Sequence, residues 1–182
     1  MKLGNIDPQV SIDYDTTEKI FETTVTGPAV TSIDITGLEG DTDEVYELDS
    51  NIKANGVTGT ASLRFNGDSG TNYGFQYING VNSTISASRN TEATTIQGYN
   101  LGTDGFVGAS SYLIHAKSGY VRTVLNPRFD GSTGTTVSGC LQWGQSWNNT
   151  VDELTSITIF ATGVGTFAVG STISLYRKVS AA

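Results

Sequence analysis

The fold is decided by residues 62–77, which read SLRFNGDSGTNYGFQY. On both sides of the central NGDSG segment, apolar or aromatic residues occupy alternate positions, as in a β-strand with one face against a core. The central residues tolerate positive φ and favour a reversal of the chain. The stretch therefore predicts two strands joined by a tight turn, which we expect to pair as a hairpin.

The same alternation continues along the chain. From Val30 onward, β-branched and aromatic runs are separated by Gly, Asn, Asp and Ser, and the dominant period is two residues. A second hairpin is expected near the C-terminal end, where Gly163, Gly165 and Gly170 separate two runs. The eleven predicted strands are 30–35, 44–52, 60–65, 73–78, 83–88, 94–99, 111–116, 120–126, 136–143, 156–161 and 171–178.

Chain length and strand number together predict one domain. A chain of 182 residues and 19.2 kDa has enough mass for a single core, and no repeat of 20 to 50 residues indicates a propeller or solenoid. We expect an all-β fold, a two-sheet jelly-roll-like antiparallel β-sandwich over residues 29–182. Periodicity leaves a concanavalin-like sandwich open as the alternative.

Residues 1–28 have a different composition, with crowded acidic residues, few apolar ones, and Pro8 and Pro28 at the two ends. This composition predicts an extended N-terminal arm, and a first edge strand on the same domain is the open alternative. An arm that reaches a neighbouring subunit would contact it through its apolar residues, which include Ile12, Tyr14, Ile20 and Phe21.

Charge and composition exclude several classes of function. A formal net charge of -8 and a pI near 4.4 oppose binding to nucleic acid. We expect no membrane partner, because no apolar run approaches the roughly 20 residues of a spanning helix, and the N-terminus lacks the features of a signal peptide. One His and one Cys cannot form a Cys/His zinc set, and no cofactor is expected.

The residues that could support catalysis are sparse. His115 is the only imidazole and lies within a predicted strand, and no Gly-x-Ser-x-Gly elbow is present. The carboxylate pairs lie in turns or in the arm, where solvation keeps a carboxyl ionised and unsuited to general acid catalysis. We therefore expect no enzyme. A small glycan-active enzyme is the remote alternative, and its candidate carboxylates are Asp13/Asp15, Asp41/Asp43/Glu44 and Asp152/Glu153.

Two local patterns could bind a ligand. Asn66, Asp68 and Asn72 alternate in a Gly-bearing loop, a spacing compatible with calcium, but a turn whose side chains bond their own backbone explains it better, so no metal site is predicted. Trp143 ends a predicted strand and is expected in the core. Trp147, in a Gln/Asn/Ser segment, is expected to be exposed and to contact a partner or a glycan together with Asn148 and Asn149.

Two passages carry a resemblance to a known group of proteins: LRFNGDSGTNY at 63–73, and LTSITIF at 154–160 followed by GTFAVGSTISLYR at 165–177. They resemble segments that recur in virion structural proteins of tailed bacteriophages, a broad group of β-sandwich modules. These modules serve as capsid decoration proteins and as tail or fibre components.

The resemblance implies a non-enzymatic structural role. The first expectation is a decoration or cement protein that binds the major capsid protein or other virion proteins and stabilises the head shell. The alternative is a tail or fibre component that contacts other virion proteins or host-surface glycans. Virion proteins act in many copies, so a homo-oligomer, a trimer or dimer, is expected in a virion assembled in the host cytoplasm.

Overall fold

The structure is a computed structural model that describes residues 16–55, 59–81, 83–101, 107–131 and 137–179. Within these ranges one short helix occurs, and no helix is long and apolar enough to cross a membrane. The elements are β1 (Thr16–Thr24), β2 (Ser32–Thr36), α1 (Gly40–Asp43), β3 (Val45–Asn55), β4 (Gly59–Phe65), β5 (Tyr73–Val81), β6 (Thr84–Ala93), β7 (Ile96–Leu101), β8 (Val107–His115), β9 (Arg122–Gly131), β10 (Val137–Trp147), β11 (Ser156–Gly163), β12 (Thr166–Phe167) and β13 (Thr172–Val179).

The strands form two antiparallel sheets that pack face to face as a sandwich. The larger sheet has the order β1-β13-β3-β8-β9-β10-β5-β6, with β12 paired to β3, and the smaller one has the order β2-β11-β4-β7. Without β12 and the two hairpins β5–β6 and β9–β10, eight strands remain. Numbered 1 to 8 along the chain, they have the order 1-8-3-6 in the larger sheet and 2-7-4-5 in the smaller one. This is the strand order of a jelly roll, and the predicted all-β sandwich is confirmed.

Most of the core lies between these eight strands, because their alternate apolar residues turn to the opposite sheet. Strand β3, for example, buries every second residue from Tyr46 to Ala54. The strands β5, β6, β9 and β10 add Tyr73, Ala93, Val124 and Trp147 to the core. The fully buried members include Leu48, Ile52, Leu63, Ile96, Leu154, Ile157, Phe167, Ile173 and Leu175.

Both predicted hairpins are wrong as pairings, although their strands and turns exist. Strand β4 pairs with β11 and β7, whereas β5 pairs with β10 and β6, so residues 66–72 carry the chain from one sheet to the other. Strands β11 and β13 likewise lie in different sheets. The jelly roll alternates between sheets along the chain, and a turn sequence does not encode whether its flanking strands pair or separate.

Part of the predicted arm is a strand of the domain itself. β1 pairs along its length with β13, with a bulge between Lys19 and Phe21. Phe21 packs against the core of its own chain, whereas Ile20 at the bulge is exposed. Ile12 and Tyr14 lie outside the described residues. For residues 16–24 the structure therefore has the alternative to an extended arm, a first edge strand on the same domain.

Two insertions extend the larger sheet beyond the jelly roll. The hairpin β5–β6 enters the chain between β4 and β7, and the hairpin β9–β10 enters between β8 and β11. Together they continue the larger sheet past β8 in the order β9-β10-β5-β6. We call these four strands the wing. We call the face of the larger sheet turned toward the smaller sheet the inner face, and the opposite one the outer face.

Candidate functional site

The outer face of the wing combines exposed apolar side chains with uncharged polar ones. Ile78 of β5, Ile85 of β6 and Leu125 of β9 point outward and are 58%, 80% and 44% exposed. Their described neighbours on this face carry little charge, with Arg89 the exception; they include Gln76, Ala87, Thr123, Pro127, Cys140, Gln142 and Ser146. Exposed apolar side chains grouped on an uncharged surface are typical of a binding face.

A shallow groove of about 510 Å³ crosses this outer face. Gly74 and Gly144 contribute no side chain to its floor, and a Cβ at Gly144 would meet nothing within 4 Å. Leu125 and Arg89 lie on its lining, and Thr123 also lines a second groove of about 350 Å³ that holds His115 and Tyr120. The two grooves adjoin at Thr123, and we call them together the trough. The glycines of the larger groove would let the backbone of a partner approach closely.

The inner face of the wing carries an aromatic cluster. Trp143 of β10 stands directly opposite Tyr77 of β5, with ring centroids 4.4 Å apart, and Phe75 meets the Trp143 ring edge-on at 5.1 Å. The indole Nε1 of Trp143 is buried without a hydrogen-bond partner, as are the Oδ1 atoms of Asn79 and Asn126. Register places these three residues on the same face of neighbouring strands.

Trp147 is 1% exposed, so its predicted exposure is wrong. β10 continues four residues past its predicted end, which places the Trp147 ring on the inner face opposite Tyr73 and edge-on to Phe65. Its Nε1 donates to Asp68 Oδ2 at 2.7 Å. Trp143, predicted to end a strand, lies in the middle of β10 and is 7% exposed as expected of a packed residue.

Asn148 and Asn149, predicted with Trp147 as partner contacts, belong to a tightly bonded corner after β10. The Asn148 backbone N–H donates to Asn72 O, and the Asn149 side chain accepts from the backbones of Val151 and Asp152. Asn148 is exposed and Asn149 is half-buried. The structure therefore leaves Asn148 as the exposed member of the predicted trio.

Arg122 is not among the residues that the sequence pattern predicts for a site, and it is 1% exposed at the first position of β9. Its Nε donates to Ala116 O at 2.9 Å, its two terminal nitrogens donate to Asn149 O and Asp152 O, and its guanidinium lies 5.0 Å from the Trp147 ring centroid. Burial lowers the pKa of Arg122, and the nearby carboxylates Asp41 and Asp152 oppose this. No local sequence signal distinguishes a buried arginine from the solvated kind.

The side chains of the turn at residues 66–68 form hydrogen bonds with neighbouring segments of the chain. Asn66 and Gly67 have φ of 51° and 68°, and Asn66 Oδ1 accepts from the backbones of Thr155 and Ser156. Asp68 accepts from Gly70 N, Asn72 Nδ2 and Trp147 Nε1, and these bonds lower its pKa although burial acts to raise it. Among the described residues no group of three His, Cys, Asp or Glu side chains could hold a metal ion.

The described carboxylates of the catalytic candidates are engaged in bonds that hold loops. Asp41 accepts from the backbone N–H and the hydroxyl of Ser118, which lowers its pKa. Asp43 accepts from Tyr46 Oη and from Arg177. His115 is exposed on the outer face beside Lys117, which binds Glu44. Asp13 and Asp15 lie outside the described residues.

Comparison with protein-family models, with curated proteins and with solved structures finds no match for this chain.

Proposed function

We propose that the protein is a non-enzymatic virion structural protein that decorates a phage head shell, and that the outer face of the wing is the surface that binds the shell protein. The observation that carries the proposal is the wing itself, four strands inserted into the jelly roll. Its outer face exposes Ile78, Ile85 and Leu125, and Leu125 lines the glycine-floored groove. The sequence resemblance at 63–73 and 154–177 supplies the virion context.

The low charge of this face supports a partner that binds through apolar and backbone contacts. The chain carries a formal net charge of -8, yet the outer side chains that the strand register places in the wing include the positive Arg89 and no carboxylate. Glu92 lies where the register of β6 with β5 is interrupted. Charged residues are depleted at the centres of protein interfaces because their desolvation is costly. A shell surface of apolar or mildly acidic character suits this face.

The bonding of the acidic loops also favours binding over catalysis. A general acid needs a raised carboxyl pKa. The hydrogen bonds from Ser118 and from Trp147 lower the pKa of Asp41 and of Asp68, which is the opposite direction.

The inner face of the wing favours a second proposal, a tail or fibre component that contacts host-surface glycans. Stacked aromatic rings bind the apolar faces of sugars, and hydroxyl groups donate to and accept from polar groups. The rings of Phe75 and Tyr77 are half-buried on this face and stack on each other with their centroids 6.1 Å apart. Jelly rolls serve both viral capsid and lectin domains, so fold analogy is compatible with either proposal and selects neither.

Co-sedimentation with particles of the virus that encodes the chain tests the first proposal. We expect the wild-type protein to sediment with the shells and Ile78→Glu to bind at least about tenfold more weakly, because an unpaired charge would be buried at the contact. Val164→Glu is the matched control, since Val164 is 69% exposed and lies outside the wing. Equal binding by both variants would place the contact elsewhere.

Electron microscopy of the same particles separates the two proposals. Density for this chain on the head shell is expected for decoration. Density on the tail alone, together with binding to a glycan panel that Trp143→Phe weakens, would replace decoration by the second proposal. Absence from the particle would contradict both.

A further inference from the structure

Strand β6 is the last strand of the larger sheet, and within the described residues no further strand pairs with its outer edge. Nine of its ten residues are exposed, the exception being Ala93, so neither face of the strand is covered over most of its length. A strand of this kind presents unpaired N–H and C=O groups in a row, which is a template for pairing with another strand.

The opposite edge of the same sheet is protected against such pairing. β1 carries Glu18, Lys19 and Glu22 within nine residues and is bent by the bulge after Lys19. Charges and bulges at an edge are the usual devices that prevent strand addition. β1 therefore has the character of a closed edge.

The edge of β6 lacks these devices over residues 84–90. This segment pairs with β5 without a register shift from Thr84 to Asn90, contains no proline, and has Arg89 as its one charged residue. Seven residues at about 3.4 Å each give a straight, free edge of about 24 Å.

We propose that this edge pairs antiparallel with the same edge of a second copy of the chain, with Ala87 on the two-fold axis. Ala87 is the midpoint of residues 84–90, so this register gives the longest regular overlap. It sets Ser86 opposite Ser88 of the partner subunit, and Ile85 opposite Arg89 of the partner subunit, whose aliphatic stem covers the exposed isoleucine.

Charge and symmetry favour a second copy over an unrelated strand. An identical strand pairs antiparallel about a two-fold axis and closes the assembly after two copies. The chain's net charge of -8 disfavours contact between its acidic surfaces, but this seam has one arginine from each copy. The register separates those two arginines by four residues, about 14 Å, which exceeds the screening length of about 8 Å in physiological salt.

The small seam is typical of a weak, transient contact. Pairing of one seven-residue edge buries an area at the low end of specific interfaces, below about 1,200 Å² in total. We therefore expect a reversible dimer with a dissociation constant in the micromolar range. The pairing uses the edge of β6 and leaves the outer trough open in both copies. The proposed dimer therefore does not depend on the proposed function as a virion protein.

Sedimentation velocity of the isolated protein over about 1 to 200 μM tests the dimer. The wild-type chain is expected to shift toward twice its mass of 19.2 kDa as concentration rises. Ala87→Lys places two ammonium groups face to face on the axis and is expected to weaken dimerisation at least about tenfold. Ala87→Ser and Val164→Lys are matched controls that keep the dimer. A wild-type monomer throughout, or a dimer unaffected by Ala87→Lys, would overturn the proposal.

Cross-linking tests the register. In a Cys140→Ser background, Ala87→Cys is expected to form a disulfide-linked dimer under mild oxidation, because residues on the axis face their own copies. Ile20→Cys, at the opposite edge, is expected to stay monomeric. Efficient cross-linking of Ile20→Cys with none at Ala87→Cys would instead assign the contact to β1. Circular dichroism and a thermal melt establish that every variant is folded.

Discussion

The jelly roll and the wing are made of the same kind of strand but are stabilised differently. In the jelly roll each sheet covers the other, and Ile173 and Leu175 of β13 are fully buried. In the wing, β6 is exposed from Thr84 to Glu92, and Ile85 is 80% exposed. The contrast shows that similar β-branched sequences serve as core in one place and as surface in the other, because burial is set by what packs on the strand.

Polar side chains hold the junction between the jelly roll and the wing. Arg122 donates to Ala116 O, and the Gln145 side chain bonds the backbone N–H and C=O of Gln97 on β7. Beyond this junction, β6 relies on its backbone pairing with β5. We infer that the junction transmits the stability of the jelly roll to the base of the wing and that the outer strand is the least stable part of the sheet.

The largest expected effect on the free energy of unfolding comes from truncating one isoleucine in the jelly roll and comparing it with one in the wing. Ile173→Ala removes a fully buried side chain and is expected to lower the free energy of unfolding by about 3 kcal/mol. Ile85→Ala is expected to lower it by less than about 0.5 kcal/mol. Urea unfolding at low protein concentration measures both values. Similar losses would mean that the wing is covered in solution, and the comparison would fail.

Removal of the junction arginine is expected to have an intermediate effect. Arg122→Met leaves the carbonyl groups of Ala116, Asn149 and Asp152 without their donor, and we expect a loss of about 2 kcal/mol. Arg89→Met is the matched control, since Arg89 is exposed, and should change stability by less than about 0.5 kcal/mol. Thermal unfolding of the two variants measures the difference, and equal melting temperatures would contradict the anchoring role of Arg122.

The smallest expected effect lies in the turn that leads from the jelly roll into the wing. Because the folded pKa of Asp68 is lowered, its carboxylate stabilises the fold above the unfolded pKa of about 3.9, and this contribution is lost as pH falls through the folded value. Asp68→Asn is expected to cost about 1 kcal/mol at pH 7.

A pH series distinguishes this charge effect from a general loss of packing. The difference between wild type and Asp68→Asn should shrink as the pH is lowered below about 3. Asp49→Asn, at a half-buried position of β3, is the control and should show little change at either pH. A difference of constant size from pH 7 to pH 2 would argue that the carboxylate charge is not the cause.

The strands could be predicted from sequence, because alternation is a local property. Pairing could not, since residues 66–72 form the predicted turn and yet separate two sheets. The buried position of Trp147 could not be predicted, because Gln145 and Ser146 have a composition typical of a loop. In the structure both lie in β10, and the Gln145 side chain bonds the backbone of Gln97 on β7. The wing could not be predicted either, because the local sequence of a strand does not indicate whether another layer will pack on it.

The two inserted hairpins also imply an order of folding. Residues paired between β5 and β6 lie close in sequence, from Val81↔Thr84 to Tyr73↔Ala93, whereas Glu18 of β1 bonds Arg177 of β13 across 159 residues. Closing a short loop costs little chain entropy, and contacts of high sequence separation slow folding. The hairpins are therefore available as early local structure, and we expect the pairing of β1 with β13 to form after them.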